Sequence, residues 1–387
     1  MRFEFSTAGR IVFGPGTLGE LHGAFREQGA RRLLIVHGAN AQRANPLLEI
    51  ASEAGIVCLR YSVPCEPTTD IVMEGVRLAR ESECDGVIGF GGGSVIDAAK
   101  AIAGLAANPG DLIDYLEIIG RGLPLTKPAL PWIAIPTTAG AGTEVTRNAV
   151  IISPENRVKV SLRSPLLLPR LAIVDPELTR DLPPAITAAT GLDALTQLIE
   201  PYVCTRANPM TDGLCVEGMH RAARSLLRAF ENGAADGAAR EEMALASLFG
   251  GLALANAGLG AVHGFAAPIG GMFPQAPHGA VCAALLPNVM RVNVRALRER
   301  DPGSAALHRY DQVARILTGS DKATADDGVE WVANLCAALH IPTLGSHGIT
   351  ATDIPLLVHN ASRASSMKPN PIVLDSGELA GILHAAI

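Results

Sequence analysis

The feature that most constrains this chain is a change of texture at Pro183 and Pro184: before them short apolar runs alternate with amphipathic stretches, and after them almost only helical periodicity remains. "RRLLIVHG" (31–38), "GIVCLRYSV" (55–63), "DGVIGF" (85–90) and "PWIAIPTT" (131–138) read as strands buried on both faces. Helical stretches such as Asp70–Ser82 and Val95–Ala107 lie between them, and that alternation implies a parallel sheet covered on both sides. "VKVSL" (158–162) and "RLAIVD" (170–175) read as the last strands of this sheet, and "FEFSTAGRIVFG" (3–14) as a hairpin on its edge. Beyond the prolines, "MTDGLCVEGMHRAARSLLRAF" (210–230) and "REEMALASLFGGLALANAG" (240–258) repeat apolar residues at spacings of three and four. The expectation is an α/β domain over 1–180 and an all-α domain over 181–387, since 387 residues exceed what one core usually serves.

Charge narrows the partners. A formal net charge of −6, a pI near 5.9 and the lack of a basic run with interleaved aromatics argue against nucleic acid or a membrane surface. A small molecule is the expected ligand. The N-terminal stretch lacks the apolar core of a signal peptide, and no segment reads as long enough to span a membrane. Cys58, Cys65, Cys84, Cys204, Cys215, Cys282 and Cys336 are odd in number and widely spaced, with no CxxC pair. Reduced thiols in a cytoplasmic protein fit that pattern, and none sits in a recognisable nucleophile context.

Two loops follow predicted strands. In "GFGGGSVIDAAK" (89–100) consecutive glycines permit positive φ and close approach of a ligand, the following helix directs unpaired N–H groups at an anion, and Ser94 adds a hydroxyl. The pattern matches neither GxGxxG nor a P-loop, so phosphate binding stands beside a turn whose glycines serve packing alone. "PTTAGAGTE" (136–144) adds the hydroxyls of Thr137, Thr138 and Thr143 with the freedom of Gly140 and Gly142. Two such loops at neighbouring strand ends suit a dinucleotide, against the alternative of a plain surface loop.

The helical half holds a second constellation. Asp193 and Gln197 in "GLDALTQLIEPY" (191–202) are four apart and share a helix face. His263 and His278 in "AVHGFAAPIGGMFPQAPHGA" (261–280) flank a Gly/Pro-rich connection, so their rings can converge. One carboxylate, two imidazoles and an amide oxygen suit Fe(II) or Zn(II). Spacing alone equally allows a carboxylate that caps a helix and histidines satisfied in a core. The other eight histidines have no comparable surroundings.

Over most of its length the chain resembles the iron-containing alcohol dehydrogenase family, in "DGVIGFGGGSVIDAAKAIA", "IPTTAGAGTEVT", "AIVDPEL", "LPPAITAATGLDALTQLIEPY" and "VHGFAAPIGGMFPQAPHGAVCAALLPNVM". The resemblance implies an α/β dinucleotide-binding domain, an all-α metal-binding domain and a cleft between them. By the same resemblance Gly92, Gly93 and Ser94 form the pyrophosphate loop, Thr137, Thr138 and Thr143 a second nucleotide loop, and Lys159 lies near the cofactor ribose. Asp193, His263 and His278 match three of four metal ligands; Gln197 stands where the family has a histidine, and Ala267 where many members have another. Gly38 replaces an aspartate that many NAD-specific members use, which leaves NAD and NADP both open, with Arg43 a candidate partner of a 2′-phosphate.

The implied reaction is reversible hydride transfer between NAD(P) and a small primary alcohol or aldehyde, with Fe(II) as the favoured metal and Zn(II) as the other. Asn148, Val150 and Phe249 are the candidate walls of the substrate pocket, and a homodimer or higher assembly is expected. Three alternatives stand beside this one: a metal-independent maleylacetate-reductase-like enzyme, a hydroxyacid-oxoacid transhydrogenase, and a nucleotide-binding assembly protein without catalysis.

Overall fold

The computed structural model describes residues 2–387, apart from the side chains of Arg26 and Gln28. The chain forms two compact units: Ser6–Thr138 with Thr143–Thr179, and Arg180–Ile387 with Ala139–Gly142 and the N-terminal residues through Phe5.

The first unit is α/β. Its strands are β1 (Ile11–Phe13), β2 (Arg32–His37), β3 (Val57–Ser62), β4 (Gly86–Gly91), β5 (Trp132–Pro136), β6 (Asn148–Ser153), β7 (Val158–Arg163) and β8 (Leu171–Val174). Six of them form one sheet in the order β1-β8-β5-β4-β2-β3, and every pairing in it is parallel. The helices α1 (Leu21–Gln28), α2 (Asn45–Glu53), α3 (Thr69–Glu81), α4 (Gly93–Ala107) and α5 (Leu112–Tyr115) belong to this unit. The chain runs outward from β2 to β3 and then back across to β4, so the strand order reverses between β2 and β4. At such a reversal the loops leaving the carboxyl ends diverge and open a crevice.

Two strand readings are corrected. The segment 3–14 makes no hairpin: its one strand, β1, pairs in parallel with β8, through Ile11 opposite Ala172 and Phe13 opposite Val174. "VKVSL" lies outside the main sheet, in β7, which pairs antiparallel with β6 from Asn148 opposite Arg163 to Ser153 opposite Val158. A five-residue apolar alternation does not say which strand it pairs with, and β6 is only six residues long.

The second unit is helical: α6 (Pro184–Val203), α7 (Pro209–Asn232), α8 (Gly237–Asn256), α9 (Ala261–Met272), α10 (His278–Arg300), α11 (Ala305–Thr318), α12 (Ala325–Ala338), α13 (Ile354–Arg363) and α14 (Ser376–Ala386). One apolar core runs through it, with Leu195, Leu198, Met219, Phe265, Leu286 and Ile382 fully buried or nearly so. Helix α10 spans 23 residues and contains an 18-residue window with a mean hydropathy of 1.2, so one segment does reach membrane-spanning length. Since 78% of that window is buried among the other helices, its apolarity belongs to the core.

Candidate active site

The carboxyl ends of β2, β4 and β5 lie side by side, with His37 opposite Phe90 and Gly91 opposite Pro136. That register gathers Gly38, Gly92, Gly93, Ser94, Thr137 and Thr138 at one edge of the sheet. Within "GGG" the glycines have different reasons to be there. A Cβ on Gly91 would stand 2.6 Å from Val95 Cβ, so this glycine lets α4 close onto the strand. A Cβ on Gly92 would stand 3.3 Å from Thr138 Cγ2, which is tight but tolerable, and Gly92 forms the N-cap of α4 with no side-chain cap of its own. None of the three has positive φ, contrary to the sequence reading; Gly92 sits at φ −75°, extended backbone open to any residue. Positive φ appears instead at Gly142, +61°. What the first loop offers is close packing and helix N–H groups, the geometry that receives an anion.

Thr143 has a different use from Thr138. Its hydroxyl donates to Asp97 and accepts from Lys100 Nζ at 2.9 Å. Lys100 is wholly buried and donates also to Thr143 O (2.9 Å), Thr146 Oγ1 (2.8 Å) and Asn148 O (2.7 Å). Burial pushes the Asp97 carboxyl up and the Lys100 ammonium down, and each charge opposes the shift of the other. The pair fixes β6, since Val150 N donates to Asp97 Oδ2 at 3.1 Å. Asn148 and Val150 are therefore anchored by their backbone. Lys159, on β7, is paired with Glu66 at 2.9 Å. Sequence reading passed over Lys100, although its place seven residues after Gly93 puts it on the buried side of α4.

In the helical unit three helices meet at one point. Asp193 and Gln197 come from α6, His263 from the first turn of α9, and His278 from the first residue of α10. Donor atoms of Asp193, His263, His278 and a fourth residue, Cys282, all lie within 4.8 Å of one another. His263 Nε2 is 3.4 Å from Asp193 Oδ1, and the two rings lie 5.6 Å apart at 57°. Gln197 Nε2 donates to Asp193 Oδ2 at 3.1 Å. Phe249, on α8, is half-buried against the helical core.

Glu200 organises the back of this site. Its Oε2 lies 2.7 Å from His263 Nδ1 and its Oε1 accepts from Val262 N at 2.7 Å. The first contact places the proton on Nδ1 and leaves Nε2 to face the cluster. The second, with Asn370 Oδ1 accepting from Ala261 N at 3.0 Å, caps a helix whose own N-cap is a glycine. Gly260 permits this approach, because a Cβ there would be 2.8 Å from Glu200 Oε1. Sequence reading missed Glu200; its signal was its place seven residues after Asp193, on the same helix face.

Do these residues fit a cation? Two buried oxygens, Asp193 Oδ1 and Gln197 Oε1, have no hydrogen-bond partner among the described residues. Leaving such atoms unpaired is costly, and a cation removes that cost. Burial alone would push the Asp193 carboxyl up, yet the facing His263 and His278 hold it down at about 2. Burial opposes charge on His263, but Cys282, Asp193 and Glu200 around it raise its pKa well above the usual imidazole range. The cluster is built to hold positive charge, and N, O and S donors suit a divalent transition ion.

Residues 8–176 match the family described as "Iron-containing alcohol dehydrogenase", and 187–387 match "Fe-containing alcohol dehydrogenase family, C-terminal". The chain belongs to the iron-containing alcohol dehydrogenase family. Alcohol dehydrogenase 4 of Schizosaccharomyces pombe is 36% identical over 383 residues, covering 97% of this chain and 87% of that protein. A crystal structure of 1,3-propanediol oxidoreductase superposes with a TM-score of 0.92 at 32% identity, covering 100% of both chains. Sulfoacetaldehyde reductase from Bifidobacterium kashiwanohense, solved in complex with NAD+, gives a TM-score of 0.87 at 26% identity over 100% of this chain and 99% of the other. As a member of the iron-containing alcohol dehydrogenases this chain is an oxidoreductase, of a family that implies a divalent metal and NAD(P).

Proposed function

We propose that this family member interconverts a small primary alcohol and its aldehyde, with a divalent ion held by Asp193, His263 and His278 and a nicotinamide dinucleotide held at the ends of β2, β4 and β5. The reading is carried by the convergence of those three donors from three helices around buried oxygens that lack partners. A bound ion supplies a Lewis acid for the alcohol or carbonyl oxygen, worth several kcal/mol of charge stabilisation, and the nicotinamide supplies the hydride acceptor or donor.

The chain's own residues do the positioning. Gly92, Gly93 and Ser94 present the start of α4 to the pyrophosphate, Thr137 and Thr138 line the neighbouring strand end, and Lys159 serves the ribose side. Thr143 acts through its bond to Asp97 rather than as a free hydroxyl. Gly38 offers no carboxylate to repel a 2′-phosphate, but the Arg43 guanidinium is held by Leu178 O at 2.7 Å, so we take NAD as the cofactor and NADP as the second candidate. Ala267 cannot carry a proton, so a proton released at the substrate oxygen would have to leave without a side chain at that position. Asn148, Val150 and Phe249 are each candidate contacts of a neutral substrate. Fe(II) and Zn(II) both satisfy the donors, a cytoplasmic homodimer or higher assembly fits the reduced thiols and the family, and no nucleic acid is required.

Metal content measured together with an alcohol and aldehyde panel, run with NAD and NADP, tests the proposal. His263→Ala and His278→Ala should each lose bound metal and activity together while unfolding cooperatively. Unchanged metal occupancy in both variants would remove the assignment.

A further inference from the structure

Gln197 is a weak replacement for an imidazole ligand: its oxygen is neutral, and its Nε2 is already committed to the Asp193 carboxylate. The structure offers another donor. Cys282 follows His278 by four residues on α10, so both side chains project from one helix face toward the cluster. Its Sγ lies 3.7 Å from His278 Nε2 and 3.9 Å from His263 Nε2.

We propose that Cys282 binds the site's ion as a thiolate beside Asp193, His263 and His278, and that this sulfur biases the site toward Zn(II) over Fe(II). The proposal rests on the metal site of the preceding subsection and adds a ligand to it.

Distances make the first case. A tetrahedral ion bonded at roughly 2.0–2.3 Å holds its donors at edges of about 3.3–3.8 Å. Of the separations, 3.4 Å (Asp193 Oδ1 to His263 Nε2) and 3.7 Å fall within that range and 3.9 Å lies just beyond it. They are also too long for strong hydrogen bonds among these groups, so the cluster is spaced for a central atom rather than for mutual bonding.

Comparison within the unit makes the second case. Cys204 Sγ donates to Pro201 O at 3.3 Å and Cys336 Sγ to Ala283 O at 3.4 Å, which is how a structural thiol is satisfied. Cys282 is fully buried, and its thiol faces the two imidazole nitrogens and the Asp193 carboxylate rather than a backbone carbonyl.

Charge makes the third. The thiol loses its proton to solvent as the metal–sulfur bond forms, with no change of oxidation state. Asp193 and Cys282 then carry two negative charges against the ion's two positive ones, whereas one carboxylate with three imidazoles leaves one positive charge uncompensated. A thiolate is also a softer donor than imidazole or carboxylate and favours zinc over a hard-ligand ion.

The test uses full-length protein, stripped with chelator and titrated with Co(II) without oxygen. A sulfur-to-cobalt charge-transfer band should appear in the near ultraviolet at one Co(II) per chain, survive in Gln197→Ala and vanish in Cys282→Ser. Cys282→Ser should bind Zn(II) about 10-fold or more weakly, by analogy with the loss seen for supporting residues of metal sites, and Fe(II) with a smaller loss. X-ray absorption of the zinc-loaded wild type, which needs no variant, should show one sulfur at about 2.3 Å. Stoichiometric Co(II) without the band, or a band that survives Cys282→Ser, overturns the thiolate and leaves the metal site standing. Failure of stripped wild type to bind Co(II) or Zn(II) at all overturns both.

Discussion

Glu200 shows how much one buried carboxylate can fix at the scale of a residue. One oxygen orients His263 and the other caps the helix that carries it, so ring direction and helix position are set by the same group. Outer partners of this kind raise the basicity of a ligating imidazole and lock its tautomer. Glu200→Gln has only one acceptor oxygen, so either the Val262 N–H or His263 Nδ1 must face an amide NH2. Metal affinity should fall about 10- to 100-fold in that variant, measured by competition with a chromophoric chelator. A residue that merely supported packing would lower the unfolding midpoint of the stripped protein and leave the metal affinity of the folded fraction unchanged.

At the scale of elements, the glycine loop after β4 separates two jobs that look alike in sequence. A Cβ at position 91 meets Val95 at 2.6 Å, so Gly91→Ala must push α4 off the sheet and should cost about 1–3 kcal/mol by overpacking. Gly92→Ala keeps an allowed backbone and meets only Thr138 at 3.3 Å, so it should leave stability within about 0.5 kcal/mol. Its methyl points toward the neighbouring strand-end loop, so the KM for the dinucleotide should rise several-fold. Urea titration and steady-state kinetics on the pair decide it, and equal destabilisation of both would mean that the cradle is only a packing device. Elements with one strong physical signature were legible in the sequence. Central parallel strands are buried on both faces and read as unbroken apolar runs, and long helices repeat at 3.6. The pairing of β1 and of the β6–β7 pair was not legible, because three to six residues carry apolarity but not the identity of a partner strand. Asp193, His263 and His278 could be picked out as candidate donors from residue type and resemblance, and they do converge. Cys282 and Glu200 stood four and seven positions from them on the same helices, yet a buried cysteine and a buried glutamate have commoner explanations until distances are known.

For the molecule as a whole, charge and stability run in opposite directions with pH. Glu144, in the loop after β5, is 2% exposed, and burial pushes its carboxyl up to about 7, with its own backbone N–H and Lys100 only partly opposing the shift. A carboxyl raised from 4.5 in the unfolded chain favours folding fully below pH 4.5, and that contribution is lost as pH climbs through 7. The difference amounts to about 3 kcal/mol across the window. Asp193, held at about 2, titrates well below this range, whereas His263 loses stability of the same sign only above the ordinary imidazole range. Subtracting the profile of Glu144→Gln from that of the parent therefore isolates Glu144. Measured on stripped protein so that metal release does not intrude, the parent should lose stability between pH 5 and 8 relative to the variant, whose amide has no proton to give up. Over the lower part of the same range the chain passes its pI near 5.9 and its net charge falls from −6 to zero, which removes the repulsion that keeps copies apart. Light scattering should rise near pH 5.9 while the unfolding free energy is still high, so precipitation there is association of folded protein. A profile in which parent and Glu144→Gln run parallel would mean that Glu144 is ionised at neutral pH in the folded state, with Lys100 as its counter-charge.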